Sequence, residues 1–318
     1  MTQLKFDNLL DAGVHFGHLK RKWNPAMAPY IFMERNGIHI IDLYKTIAKA
    51  DEAAMALKQI AKSGKKILFV ATKKQAKEIV GELVRSVNMP YVTERWPGGM
   101  LTNFATIRKA VRKMASIDKM KNDDTFTKIS KRERLQIIRE RAKLEKNLGS
   151  IADLTRLPSA IFIVDILKEK IAVAEAKKLN IPTFAIVDTN SNPNEVDYAI
   201  PANDDASKSI SIILEHMIRA IEEGLAERKV AKDIQDREDE EERDEIIIEK
   251  ASLKTIEEQE EEEEAKSLKK AAAKKDLAGK IKDAEIPGET EDEVKKARKP
   301  LDKTSKKPAL GKKTITKK

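Results

Sequence analysis

The sequence predicts an α/β fold built on a doubly wound, mostly parallel sheet, and three observations lead to this prediction. Short β-branched runs occur at 38–41, 66–71, 160–165 and 183–188. Unbroken apolar runs of this kind are typical of strands that are buried on both faces of a parallel sheet. Apolar residues at helical spacing lie between the runs, for example over 43–57. The alternation of strands and helices indicates a layered domain of the flavodoxin-like or Rossmann-like kind.

One segment, residues 102–151, breaks this alternation because it contains no strand-like run. Apolar residues recur at steps of three and four over 104–120 and again over 135–151, which predicts two helices. Ser130 and Glu133, in the link between them, fit a capping box. Helices of this size are about 30 Å long, so we expect an inserted antiparallel coiled-coil hairpin that protrudes from the sheet domain.

The α/β domain would then comprise residues 1–101 and 152–225, followed by a charged, low-complexity extension over 226–318. Residues 226–264 carry 7 Lys/Arg and 18 Asp/Glu, whereas residues 265–318 carry 18 Lys/Arg and 8 Asp/Glu. The extension contains no Trp, Phe or Tyr. Such segments cannot bury enough apolar surface to form a core, so we expect the extension to be disordered or partly helical.

The composition excludes several classes of protein. There is no cysteine, which rules out disulfide bonds and cysteine-based zinc sites. The N-terminus, MTQLKFDNLLDAG, has no apolar signal-peptide region. No window of about 18 apolar residues is present that could span a bilayer. The sequence therefore predicts a cytoplasmic protein without a membrane partner.

The predicted hairpin is strongly basic. Residues 95–150 carry 15 Lys/Arg and 6 Asp/Glu. An ordinary solvated coiled coil would alternate charges and approach neutrality, whereas a one-sided excess favours neutralisation of nucleic-acid phosphates. Both interpretations remain open at this point. The candidate phosphate ligands of the hairpin are Arg108, Lys109, Arg112, Lys113, Lys131, Arg132 and Arg134.

The loop-like stretch 12–46 places cations beside flat aromatic and amide side chains. This is the chemistry suited to phosphates and unstacked bases. Its candidate RNA contacts are Lys20, Arg21, Lys22, Trp23, Arg35 and Asn36. Arg95 and Trp96 repeat the pairing of a cation with an indole, next to a Pro-Gly-Gly turn. A tight turn with a packed Trp96 is an equally good interpretation of that second motif.

Acidic residues follow the predicted strands and support an alternative function. In an open α/β sheet the carboxyl ends of the strands form the ligand crevice. An enzyme or a metal-binding protein could use a cluster of His15, His18, Asp188, Asp204 and Asp205. We expect no metal, because an Asp after a strand more often caps the next turn or helix. None of the strand ends carries the glycines that a nucleotide phosphate requires, so we predict neither a catalytic site nor a cofactor.

Four motifs resemble the bacterial small-subunit (30S) ribosomal protein S2 family. They are AGVHFGHLKRKWNPAMAPYIFMERNGIHIIDLYKT at 12–46, ERWPGGMLTNFATI at 94–107, the run from LPSAIFIVD to NDD at 157–205, and SKSISII at 207–213. The resemblance covers about residues 5–225. Pro97, Met100 and Lys208 differ from the residues that are usual in the family, and a lysine at 208 cannot make the bidentate contact of an arginine.

The resemblance implies a non-catalytic constituent of the small ribosomal subunit that binds 16S ribosomal RNA and supports translation. It also implies contacts with neighbouring small-subunit proteins, including S1 in many bacteria, and no independent homo-oligomer. A module whose hairpin contacts protein instead of RNA is a further alternative. The role of residues 226–318 cannot be carried over, because they lie outside the common part of the family.

Overall fold

The computed structural model describes residues 4–123, 126, 129–237 and 243. The elements below lie in one compact unit, Met1–Glu242. Of the predicted extension 226–318, residues 226–237 are helical, and nearly all the rest lies outside the described residues.

Five parallel strands form the main sheet, in agreement with the predicted fold class. They are β4 (Ile67–Val70), β5 (Tyr91–Val92), β6 (Ala160–Val164), β7 (Thr183–Val187) and β8 (Tyr198–Pro201). Their spatial order is β5-β4-β6-β7-β8, so the chain reverses direction across the sheet between β4 and β6. Open sheets bind ligands beside such a reversal, at the carboxyl ends of the strands.

A second, smaller sheet contains the run 38–41, and this corrects one prediction. That sheet consists of β1 (Phe16–Leu19), β2 (Ile31–Arg35) and β3 (Ile38–Ile41), paired antiparallel in the order β1-β3-β2. The run is a strand, but it was wrong to assign it to the parallel sheet. The reason is Asn36-Gly37, whose φ values of 53° and 75° form a two-residue hairpin turn.

Helices cover both faces of the main sheet, as a doubly wound fold requires. Their bounds are α1 Phe6–Asp11, α2 Leu43–Lys62, α3 Lys74–Ser86, α4 Phe104–Asn122, α5 Lys131–Leu148 and α6 Lys170–Lys178, followed by the helical run 207–237, here α7. Phe69, Phe162 and Phe184 face one core, while Leu68 and Val70 face the other. Alternate residues of a strand therefore fill opposite layers. Within the described residues, no helix is both long and apolar enough to cross a membrane.

Helices α4 and α5 occupy the segment in which the sequence predicts two helices. Ser130 caps α5 by accepting a hydrogen bond from the Glu133 backbone N–H at 3.4 Å. Ion pairs join α4 to α5, and one of them links Lys113 to Glu140. Leu148, at the end of α5, is buried in the second core, so the base of this helix pair is attached to the sheet domain.

Candidate nucleic-acid interface

A short 3-10 turn, Lys20–Lys22, presents the cations of the first candidate surface. All its side chains are exposed. Lys20 Nζ lies 2.7 Å from Glu34 Oε2, but such exposed pairs are weak. Arg21 and Lys22 have no hydrogen-bond or ion-pair partner among the residues that the structure describes. We call Lys20, Arg21, Lys22, Trp23, Arg35 and Asn36 the loop cluster.

Trp23 and the turn of the small sheet complete the loop cluster. The Trp23 ring is 36% exposed and lies 5.2 Å from the His39 ring, with an angle of 45° between the ring planes. Arg35 and Asn36 are exposed at the turn between β2 and β3. Since Trp23 packs on His39 and still meets solvent, the loop cluster combines an accessible indole with cations.

The loop is attached firmly to the main sheet. The backbone N–H of Asn24 donates to the Thr189 carbonyl at 2.8 Å, and the His18 N–H donates to Thr189 Oγ1 at 2.8 Å. A Cβ added at Gly17 would lie 2.6 Å from Thr189 Cγ2. Only glycine therefore fits at this approach, and the loop cluster has a defined place beside the end of β7.

The predicted hairpin cations divide into two groups. Arg108 donates to the Leu154 carbonyl at 3.0 Å, and Lys113 pairs with Glu140. Arg134 is half-buried, and its Nε is buried without a described partner. The remaining predicted side chains are exposed and have no partner within the described ranges, and we call them the hairpin cations: Lys109, Arg112, Lys131 and Arg132.

The turn before α4 contains a packed tryptophan. Trp96 is 6% exposed, and its Nε1–H donates to Glu175 Oε1 at 3.2 Å. Its ring therefore belongs to the core and does not face a base, which selects the packed-turn interpretation. Arg95 beside it is exposed and remains a candidate for a phosphate contact.

The sequence did not reveal the partner of this turn, Glu175, which lies in α6. It is 8% exposed, and both Ala172, three residues before it, and Ala176, the residue after it, are fully buried. A carboxylate in the apolar stripe of a helix is costly unless hydrogen bonds compensate for its burial. A glutamate among the apolar residues of α6 therefore indicates a buried, hydrogen-bonded carboxylate. The sequence does not indicate which groups donate those hydrogen bonds.

Charged side chains converge at the carboxyl ends of the parallel strands. Lys73 Nζ lies 2.8 Å from Asp204 Oδ1, 2.7 Å from Asp205 Oδ1 and 3.4 Å from Asp165 Oδ2. His18 Nδ1 lies 3.0 Å from Asp188 Oδ2. We call this group the strand-end cluster. It brings together all three predicted acids, Asp188, Asp204 and Asp205, with Lys73, which was not among the predicted site residues.

Burial changes the protonation of the strand-end cluster. Loss of solvent, together with the charges of Asp188 and Asp165, raises the pKa of Asp204 to about 7. The hydrogen bond with Asp188 raises the pKa of His18. His15 does not join the cluster: burial lowers its pKa, and its ring contacts Phe16 at a centroid distance of 4.0 Å.

Some members of the cluster could hold a divalent cation. One ligand atom each from His18, Asp188 and Asp204 lies within 4.8 Å of the others. Asp204 Oδ2 is buried and has no hydrogen-bond partner in the described part of the chain. An imidazole with two carboxylates is a donor set that suits zinc.

Comparison with known proteins identifies the family. The family profile described as ribosomal protein S2 matches residues 9–224. The chain belongs to the ribosomal protein S2 family. The prediction of a ribosomal constituent rather than an enzyme is thereby confirmed, and the enzyme alternative loses its support. The extension after 225 lies outside the matched residues.

Relatives with high identity carry one name. The small ribosomal subunit protein uS2 of Phocaeicola vulgatus is 74% identical over 73% of this chain and 83% of its own length. The protein of that name from Bacteroides thetaiotaomicron is 72% identical, with 73% of this chain and 84% of its own length covered. That of Porphyromonas gingivalis is 70% identical, with 73% and 83% covered.

Proposed function

We propose that this protein is a structural constituent of the small ribosomal subunit that binds 16S rRNA through two separate cationic surfaces. The observation that carries the proposal is the distribution of free charge. Arg21, Lys22 and the hairpin cations are exposed without a described protein partner, and the segment 95–150 holds 15 Lys/Arg against 6 Asp/Glu. Surplus cations of this kind neutralise phosphates.

The hairpin supplies the larger of the two surfaces. We infer that α4 and α5 form an antiparallel coiled coil, because the ion pairs Lys113–Glu140 and Asp118–Arg141 join the two helices. Cations that take part in these pairs stabilise the helices against each other. The hairpin cations stay outside the pairs and face RNA phosphates.

The loop cluster supplies the second surface and the contacts that depend on base shape. Phosphate contacts position a protein on RNA, whereas stacking and amide hydrogen bonds read unstacked bases. Arg21 and Lys22 would contact phosphates, while Trp23 and Asn36 would contact a base. Trp96 takes no part, since its ring is buried.

Replacing Lys20, Arg21 and Lys22 together by alanine tests the loop surface. We expect weaker incorporation into small subunits. We also expect the slope of log K against log salt to be shallower by about 2, because each phosphate contact contributes about 0.7–0.9 to that slope. The measurement is filter binding to 16S rRNA at several salt concentrations. Alanine at Lys65, Lys177 and Lys178, which are exposed cations elsewhere, is the matched control. Equal slopes for the two triple variants would refute this surface.

Neighbouring ribosomal proteins are the second class of partner that we propose, and S1 among them stays a prediction. If the hairpin contacted protein instead of RNA, the protein would remain on its neighbours after digestion of accessible rRNA with ribonuclease. An RNA-held protein should be released. The digested subunits are fractionated, and the amount of this protein that stays with the particles is measured. Retention indicates a protein-held hairpin, and release indicates an RNA-held one.

We propose further that the strand-end cluster binds zinc through His18, Asp188 and Asp204. This is favoured by their mutual distances within 4.8 Å and by the unpartnered Asp204 Oδ2. Because the pKa of Asp204 is about 7 and that of His18 is raised, protons compete with the cation. Zinc affinity should therefore increase as the pH rises from about 6 to 8.

Isothermal titration of the full chain with Zn²⁺ measures this site. Asp188→Asn should weaken binding about tenfold or more, which is about 1.4 kcal/mol per factor of ten. His15→Gln is the matched control and should leave the affinity unchanged, because His15 lies outside the group. We expect the acidic residues 226–264 to add the same weak background binding in every variant, so a titration curve identical for Asp188→Asn and the unmodified protein would refute the site.

A further inference from the structure

One buried carboxylate accepts five hydrogen bonds from the turn that precedes α4. Glu175 Oε1 accepts from Trp96 Nε1 at 3.2 Å and from the Gly99 N–H at 2.7 Å. Glu175 Oε2 accepts from the Leu101 N–H at 2.9 Å, the Thr102 N–H at 3.1 Å and the Thr102 hydroxyl at 3.2 Å. An ionised carboxylate has about four lone-pair positions, so five donors use all of its accepting capacity.

These bonds use most of the backbone N–H groups of the turn. Of the N–H groups from 99 to 103, only those of Met100 and Asn103 go elsewhere, to the carbonyls of Pro97 at 3.1 Å and Gly99 at 2.8 Å. Gly99 has a φ of +85°, a conformation that a side chain would strain. The turn therefore has the form of an anion-binding concavity whose anion is supplied by the protein itself.

Glu175 connects the start of α4 to α6 through five hydrogen bonds, whereas the other polar contacts at the base of the helix pair are single ones, such as Arg108 to the Leu154 carbonyl at 3.0 Å and Lys146 to Glu94 at 3.4 Å. Its helix, α6, is built into the second core by Ala172, Val173 and Ala176. The turn leads directly into α4, which begins at Phe104. Burial alone would raise the pKa of Glu175. The backbone hydrogen bonds lower this pKa by a larger amount, so the net change is a decrease. The carboxylate is thus ionised at neutral pH and holds the start of the hairpin against the sheet domain.

We propose that Glu175 is a positioning residue that sets the direction in which the hairpin leaves the sheet domain, and thereby selects the RNA phosphates that the hairpin cations reach. This inference rests on the proposed function, since it needs the hairpin to contact rRNA. The other end of the hairpin is held by the buried Leu148 and Ile151. Apolar packing is non-directional, whereas the hydrogen bonds to Glu175 specify an orientation.

The substitution Glu175→Gln tests the inference with the smallest change in shape. An amide has one accepting oxygen, and its NH₂ group would face N–H donors of the turn. We expect the variant to fold, with the start of α4 displaced. Glu169→Gln is the matched control, because Glu169 is 3% exposed and accepts from the Thr72 N–H at 3.2 Å, away from the hairpin.

Tethered cleavage of RNA reports the direction of each surface. The chain has no cysteine, so single probes can be placed at Ser116→Cys in α4 and at Ala28→Cys near the loop cluster, both at exposed positions. Each is coupled to iron–EDTA and assembled with small subunits depleted of this protein. In the Glu175→Gln background, cleavage from position 116 should move to other nucleotides or spread, while cleavage from position 28 should stay the same.

The outcomes separate the inference from the proposed function. Cleavage from position 116 that is identical in Glu175→Gln and the unmodified background would overturn the inference alone. Absence of cleavage from both probes in the unmodified background would overturn the proposed function, and the inference with it. If circular dichroism shows that Glu175→Gln does not fold, Glu175→Asp is used instead, since it keeps the charge but withdraws the carboxylate. The same displacement is then expected, and unchanged cleavage is again decisive against it.

Discussion

Alanine at all four hairpin cations should lower the affinity of the protein for 16S rRNA by roughly a thousandfold at 0.1 M monovalent salt. Each phosphate contact contributes about 0.7–0.9 to the slope of log K against log salt, so the slope should become shallower by about 3. Near 1 M salt the electrostatic part of the binding free energy vanishes, so the variant and the unmodified protein should bind equally there. Between 1 M and 0.1 M salt, a slope difference of about 3 then corresponds to a thousandfold difference in affinity. Filter binding between 0.1 and 1 M salt measures both quantities.

The control for the hairpin variant is a quadruple variant with the same change in net charge. Lys65, Lys177, Lys178 and Arg219 are exposed and have no partner in the part of the chain that the structure describes. Their replacement by alanine should change the slope by less than about 1, because they lie outside both proposed surfaces. If the two quadruple variants lost the same affinity, only the net charge of the protein would matter, and the hairpin would not be a specific surface.

Three strands of the main sheet, β4, β6 and β7, could be predicted because they are uniformly buried, whereas the partly buried β5 and β8 were not predicted. Residues 160–164 and 183–187 are buried at every position, and a strand covered on both faces leaves an unbroken apolar run in the sequence. The run at 38–41 looked similar, but its burial alternates. An alternating strand belongs to a one-sided sheet, and the Asn36-Gly37 turn was the sequence signal for it.

The candidate site could be predicted only where single residues carry the chemistry. The exposure of cations such as Arg112 and Lys22 could be predicted from charge and spacing, because an exposed cation needs no partner within the protein. Lys73 and Glu175 could not be assigned in this way. Each acts through groups far away in the sequence, for example across the 131 residues that separate Lys73 from Asp204. Trp96 is a residue that the sequence did select but could not place. Its burial and its hydrogen bond to Glu175 show that it is packed in the core.

Lys73→Ala should produce the largest loss of folding stability among single substitutions in the strand-end cluster. The ammonium lies within 3.4 Å of three carboxylates, and Asp204 is completely buried. Removal of one partner of a buried ion pair costs about 3–5 kcal/mol, because the remaining charge has no compensation. For a domain of this size each kcal/mol corresponds to about 2–4 °C. Thermal unfolding in the presence of EDTA should therefore show a decrease in Tm of about 10 °C.

The pH dependence of this loss distinguishes an electrostatic cause from simple loss of packing. The pKa of Asp204 is about 7 with Lys73 in place, and removal of the cation raises it further. Below that pKa the Asp204 carboxyl takes up a proton and tolerates the missing ammonium, so the decrease in Tm should be smaller at pH 6 than at pH 8. A packing defect would cost the same at both pH values.

Lys77→Ala is the matched control for Lys73→Ala. The pair of Lys77 with Glu94 at 3.1 Å is half-exposed, and such a pair contributes less than about 1 kcal/mol. A loss for Lys73→Ala that is no larger than that for Lys77→Ala would mean that the buried carboxylates are stabilised by groups other than Lys73.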